Sequence, residues 1–247
     1  MKIWAFYSLK GGVGKTAAAV NITLEAAAAG ETVLLWDLDP QGAASWYYGC
    51  DKRSKLQPAD LATGKKAPGR SVQRTAFDRL SVLPADPAYR DWDVAIHEQK
   101  KPRKVLDRLT APFSEQYSLL ILDCPPSQGA LATSILRAAD QSLVPVVPTP
   151  LSLRALDGVY ELVSQKKVGK TGVKPFFSMV DRRRKAHRAL LQSRPDVMAD
   201  GLDTVIDYSA HVEQMSEHRQ PVRMFAPRSR AAQEFSAMAQ ELLAPKA

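Results

Sequence analysis

Seven residues near the N-terminus, Lys10-Gly11-Gly12-Val13-Gly14-Lys15-Thr16, combine permissive backbone with two cations and a hydroxyl. They follow the apolar run Ile3-Trp4-Ala5-Phe6-Tyr7 and precede an alanine-rich stretch. That is the strand–loop–helix setting of a phosphate-binding loop. Glycines let backbone N–H groups turn inward onto phosphate oxygens, and the helix N-terminus adds positive potential. Lys15 would neutralise β- and γ-phosphates, and the Thr16 hydroxyl would hold Mg²⁺. Gly11, Gly12, Val13, Gly14 and Ala17 complete the expected nucleotide-binding segment. Leu9 stands where the strict pattern G-x-x-x-x-G-K-[ST] has its first glycine. Lys10 precedes the glycines, where a nucleotide-binding loop requires no charge.

Phosphoryl transfer to water also needs a metal site and an oriented nucleophile. Three carboxylates stand at the ends of apolar runs. Asp123 closes Leu119-Leu120-Ile121-Leu122 and would reach Mg²⁺ through water. Asp37 and Asp39 lie in Trp36-Asp37-Leu38-Asp39-Pro40-Gln41-Gly42. Asp39 is expected to position or activate the attacking water, and Asp37 to support the metal shell. Their structural alternative is a pair of strand-end carboxylates that cap the next helix.

The elements that must place these residues alternate. Strands are expected at 2–8, 32–37, 80–83, 119–123, 142–147, 175–180 and 204–206. Helices are expected at 15–29, 103–109, 130–139, 156–166, 185–192, 212–217 and 229–243. Segment 148–154 reads as a turn leading into an interface helix, and 51–75 and 86–104 as polar surface connections. Strands without polar alternation suit a parallel sheet buried on both faces, with ligands at the strands' carboxyl ends. A chain of 247 residues fits one such α/β domain, 1–247, with a large core. No run of eighteen apolar residues is present, and no signal-peptide pattern opens the chain. Cys50 and Cys124 lack metal-type spacing and read as reduced, packed thiols.

Charge is concentrated late. The chain carries +8 overall, and residues 166–230 hold fourteen Lys/Arg against seven Asp/Glu. Arg182, Arg183, Arg184, Lys185 and Arg188 form the densest group, and Arg219, Arg223, Arg228 and Arg230 a second. Few aromatics interleave with them, which disfavours base stacking on single strands. Such clusters suit sequence-independent contact with duplex phosphates, the alternative being a solvated basic face.

K-G-G-V-G-K-T is a deviant Walker A motif, and with it the chain resembles the ParA/MinD family of P-loop ATPases. Segment 36–42 resembles the family's second motif, 119–127 its Walker B strand, and 178–183 and 221–229 its later landmarks. The matches run in family order over nearly the whole chain. The resemblance is to the ParA-like branch, in the short form without an N-terminal helix-turn-helix. It implies a doubly wound, mostly parallel sheet flanked by helices and an ATPase using ATP and Mg²⁺. Lys10 would reach the nucleotide of a second subunit in an ATP-dependent homodimer, and Asp181 would join the ATP-binding set. It further implies non-specific duplex DNA contact, a ParB-like or cargo-adaptor partner, and a cytoplasmic, nucleoid-associated protein acting on DNA or on a cargo such as carboxysomes. Relatives often have Asn at Ser178 and Pro at Asp207, so base recognition is expected to differ in detail. Two other readings are a MinD-like membrane ATPase, which would need a terminal amphipathic helix, and a metabolic P-loop enzyme, which would need neither Lys10 nor the basic cluster.

Overall fold

A computed structural model describes residues 1–50, 52–165 and 171–245. Alternation in the sequence becomes alternation in space. The strands are β1 (Lys2–Phe6), β2 (Val33–Asp37), β3 (Gln73–Arg74), β4 (Leu80–Leu83), β5 (Leu119–Asp123), β6 (Gln141–Val146) and β7 (Gly172–Phe177). They form one sheet in the order β3-β4-β2-β5-β1-β6-β7. Every pairing is parallel except β3 with β4. The doubly wound, mostly parallel sheet is the architecture expected.

Side chains of successive strand residues point to opposite faces. Trp4, Phe6, Val33, Leu35, Leu119 and Ile121 therefore enter one core layer. Ala5, Leu34, Trp36, Leu120 and Leu122 enter the other. The first layer is covered by α1 (Lys15–Ala28) and by α12 (Arg230–Leu243), which packs on α1. Between α1 and α12 the chain forms α2 (Ala43–Tyr47), α3 (Pro58–Thr63), α4 (Trp92–His97), α5 (Val105–Thr110), α6 (Ala130–Ala138), α7 (Pro150–Gln165), α8 (Lys185–Gln192), α9 (Ala210–Glu213), α10 (Met215–His218) and α11 (Val222–Phe225). Helices α3 to α7 contribute to the second layer. The β1 C-terminus lies between those of β5 and β6, where the winding reverses direction, so the loop leaving β1 occupies the switch-point crevice.

Several local expectations are corrected. Segment 204–206 forms no strand; a single parallel bridge joins Val180 to Asp207. The strand expected at 175–180 ends at Phe177, because Met179 adopts a left-handed φ of 53°. The helix expected at 212–217 is two short helices joined at Gln214. Helix α7 begins at Pro150, six residues early, since proline's fixed φ suits a first helical position; the expected end at Lys166 lies outside the described residues. Segments 51–75 and 86–104 are more than surface connections. They supply the buried side chains Leu56, Leu61, Tyr89, Trp92 and Ile96, which cover the sheet's second face.

Candidate nucleotide site

Register builds the phosphate end. Phe6 pairs with Asp123 across β1 and β5, and Asp123 pairs with Asp37 across β5 and β2. The loop leaving β1 thus opens directly over two carboxylates. Gly12 and Gly14 hold left-handed φ values of 69° and 92°, conformations that glycine adopts without a Cβ penalty. A Cβ on Gly14 would stand 2.8 Å from Ser178 Oγ, so this turn is pressed against the residue after β7. Gly11 and Gly12 are exposed while Val13 is buried and anchors the loop beneath. Lys15 and Thr16 open α1, with Ala17 behind them. Lys15 is buried, and its Nζ donates to the Lys10 carbonyl at 3.2 Å. Burial lowers the Lys15 pKa, while Asp123, Cys124 and Asp39 pull it back up.

The three carboxylates differ in environment. Asp123 is fully buried, and neither oxygen meets a partner at hydrogen-bonding geometry. Burial raises its pKa well above the carboxylate range, reinforced by Asp37; Thr16 and Lys15 lie near enough to offset part of this. Asp37 is equally buried but satisfied. Its Oδ2 accepts from the Ser45 backbone N–H at 2.8 Å and the Ser45 hydroxyl at 2.7 Å, and its Oδ1 from the Asp39 N–H at 3.2 Å. Burial pushes it up to about 6, with the Ser45 bonds opposing. The capping alternative therefore describes Asp37 here: its carboxylate accepts an N–H from the first turn of α2. Asp39 Oδ1 accepts from the Gln41 N–H at 3.0 Å.

A divalent cation fits the Thr16–Asp123 end. Two unpaired buried carboxylate oxygens beside a hydroxyl lack a counter-charge that a cation would supply. No group of three His, Cys, Asp or Glu side chains among the described residues makes a self-sufficient metal cage. That suits Mg²⁺, which keeps several waters and takes one or two carboxylates plus substrate phosphates.

Lys10 goes elsewhere. Its Nζ donates to Ser152 Oγ at 3.4 Å in the first turn of α7, and its backbone N–H to Ser8 Oγ. The neighbouring Leu151 is 68% exposed. Ser45 and Ser152 are functional neighbours that the sequence reading missed. Neither serine belongs to a motif or spacing that would single it out.

Beside the loop lies a cavity of about 220 Å³ bordered by Gly12, Gly14, Ala17, Ser178, Asp207 and Tyr208. Ser178 and Asp207, singled out as departures, both line it. Asp181 does not. Its carboxylate instead accepts from the Arg183 guanidinium at 2.9 and 3.0 Å, which holds its pKa down at about 2.

The basic residues are mostly engaged within the chain. Arg182 pairs with Asp207, Arg183 with Asp181, and Arg223 with Glu25. Arg230 bridges Asp207 and Glu234 at 2.6 and 2.8 Å. Arg188 donates to the Arg182 and Arg183 carbonyls, and Arg219 lies over the Trp46 ring at 3.6 Å. Among the described residues Arg184, Lys185 and Arg228 make no carboxylate ion pair.

Known proteins share this plan. The AAA domain family matches residues 1–178. The chromosome-partitioning ATPase Soj of Treponema pallidum is 27% identical over 98% of this chain and 97% of its own. In structure, apo McdA of Cyanothece superposes with a TM-score of 0.82 at 22% identity, covering 97% of this chain and 99% of that one. Cobyrinic acid a,c-diamide synthase of Mycobacterium smegmatis, with bound ADP and magnesium, gives 0.79 at 24% identity over 98% and 94%. With the phosphate loop, the strand-end carboxylates and these likenesses together, the chain belongs to the ParA/MinD family of P-loop ATPases.

Proposed function

We propose that this chain is a ParA-like positioning ATPase that dimerises around ATP, holds duplex DNA without sequence preference, and is released when a cargo-bound adaptor stimulates hydrolysis. The observation that carries the reading is Lys10. Its ammonium rests on Ser152 at the exposed start of α7, while Lys15 alone serves the phosphate loop of its own chain. A cation so placed is suited to a nucleotide held by a second subunit. The whole-length likeness to Soj supports the partitioning class, and the Synechococcus elongatus maintenance of carboxysome distribution protein A, 31% identical over 64% of this chain, supports a protein cargo as well.

The chemistry follows from the site. Lys15 and the loop N–H groups carry the β- and γ-phosphate charge. Mg²⁺ held through Thr16 and Asp123 would neutralise phosphate oxygens. Asp37, by fixing Ser45 and the Asp39 N–H, sets the loop in which Asp39 sits. Asp39 spends one oxygen on Gln41 and offers the other to a water. That water's oxygen bonds to the γ-phosphorus, its proton passes toward Asp39, and the β–γ bridging oxygen leaves with ADP. Slow turnover alone suits a switch whose ATP state must persist.

Helix α12 buries Ala231, Phe235, Met238 and Leu242 in the core, which favours a packed helix over a membrane-seeking one. No helix among the described residues is long and apolar enough to cross a membrane. The metabolic reading retains the shared fold but leaves Lys10 without a task.

Cosedimentation with duplex DNA tests the proposal. Binding should require ATP and weaken steeply with salt. Lys10→Ala should abolish both the ATP-dependent dimer, read by light scattering, and DNA retention, while the monomer still binds nucleotide. Fast basal turnover indifferent to DNA, with a Lys10→Ala variant of normal activity, would point to the metabolic enzyme.

A further inference from the structure

Asp207 belongs to two places at once. It lines the cavity beside Gly12 and Gly14, and its carboxylate holds Arg182 and Arg230. Arg182 Nε donates to both oxygens, at 3.1 and 2.8 Å, and Arg230 Nη2 to Oδ2 at 2.6 Å. Arg230 is shared with Glu234, whose Oε2 also accepts from the Asp207 N–H at 2.9 Å. The side chain of Asp207 is only 12% exposed, against 48% for Arg182 and 61% for Arg230. One partly buried carboxylate on the wall of this cavity therefore pairs with two outward-facing cations.

We propose that Asp207 reads the amino group of the base and so couples nucleotide binding to the freedom of Arg182 and Arg230. A carboxylate is acceptor-only and has about four lone-pair sites. An exocyclic amino group entering the cavity donates to it and competes with the two guanidinium groups. Each arginine then binds its carboxylate less firmly and becomes more available to a phosphate outside. The coupling is reciprocal: a phosphate that takes the arginines frees Asp207 for the base. Its size is bounded by the difference in affinity between the two states. The duplex half of this inference rests on the proposed DNA binding, whereas the base half does not.

The test compares ATP with purine riboside 5′-triphosphate, which keeps the ring and the phosphates but lacks the 6-amino group. Nucleotide affinity is measured first without DNA, by calorimetry. A hydrogen bond to a charged group is worth roughly a ten- to hundredfold affinity ratio, so the wild type should bind ATP about tenfold tighter. In Asp207→Ala the ratio should fall to near one, and Asp207→Asn, which keeps a carbonyl acceptor, should retain part of it. Duplex retention is then measured with each nucleotide at saturation. The wild type should hold DNA several-fold better with ATP than with the analogue, and Asp207→Ala should hold it equally with both. Equal wild-type affinity for the two nucleotides overturns the proposal whatever the variants do. A preference for ATP that survives unchanged in a folded Asp207→Ala variant also overturns it. Should no nucleotide support DNA retention, the positioning function fails, while the calorimetric ratio still judges the role of Asp207.

Discussion

Asp123, beside the phosphate loop, and Asp207, on the wall of the neighbouring cavity, meet opposite fates. Asp123 is fully buried with both oxygens unpaired, among two further carboxylates and one lysine. Asp207 sits near the surface and already holds two arginines. A buried charge without a partner is costly, and the group responds by favouring its neutral form. The phosphate end is thus incomplete without a cation, and ligand binding there supplies a missing charge. The Asp207 carboxylate is already paired, so on the proposed reading a ligand there must exchange one partner for another. On the proposed reading, strong binding belongs to the phosphate loop and a graded response to Asp207.

The largest way to break this contrast is at Lys15. Lys15→Ala removes the one buried cation of the phosphate end, and ATP affinity should fall roughly a hundredfold or more, as for loss of a charge-assisted bond. Calorimetry reads it, and a loss of only a few-fold would show that the loop amides suffice. Next comes Gly14→Ala. The left-handed backbone costs about 1–2 kcal/mol for a residue with a Cβ, and the new Cβ also meets Ser178 Oγ. Thermal unfolding should show the loss. Adding Ser178→Ala should recover only the steric part, so full recovery would mean that backbone strain contributes nothing.

Asp123→Asn sharpens the same contrast through pH. The folded-state pKa values of Asp123 and Asp37 lie above the unfolded value of about 4. Between the unfolded and folded values the native state binds more protons than the unfolded chain, so stability falls as pH rises through that window. For Asp37 the window runs from about 4 to about 6. Nucleotide-free Asp123→Asn should therefore resist urea better than wild type at neutral pH, and the advantage should shrink as the pH falls toward the unfolded carboxylate value. An advantage that does not change with pH would show that Asp123 is not neutral at low pH for the reason given. The same variant should lose Mg²⁺-dependent tightening of nucleotide binding. The smallest effect is expected among the basic residues. Arg184→Ala, which removes a cation without a carboxylate partner, should lower the salt dependence of duplex binding by about one unit of slope. Arg182→Ala should do less, because ATP loosens its pairing with Asp207 without abolishing it. Equal slopes would mean that the ion pair opens fully in the complex.

Legibility in the sequence tracks how local each feature is. The loop from Lys10 to Thr16 is contiguous, so its glycines, lysine and hydroxyl were readable together, and Asp123 announced itself as the polar end of an apolar strand. Ser45 lies eight residues beyond Asp37, on a helix too short for periodicity to show, and its role as the partner of Asp37 was not legible. Segments 51–75 and 86–104 looked polar because their apolar residues are sparse. Leu61 and Trp92 become core only because the sheet's second face has to be covered.

Arg182 and Arg230 show the remaining limit. Composition alone established an excess of positive charge in the last third of the chain. It could not show that 25 residues of separation close into a pair with Asp207, or that Arg230 arrives from the start of a different helix. By itself the sequence determined the sheet class and the contiguous glycine-rich loop between strand and helix, because those follow from short-range patterns of polarity and backbone freedom. Tertiary structure alone decided which charged groups are paired within the chain and which are buried without a partner. Pairing depends on the distances and desolvation that folding creates between residues far apart in the chain.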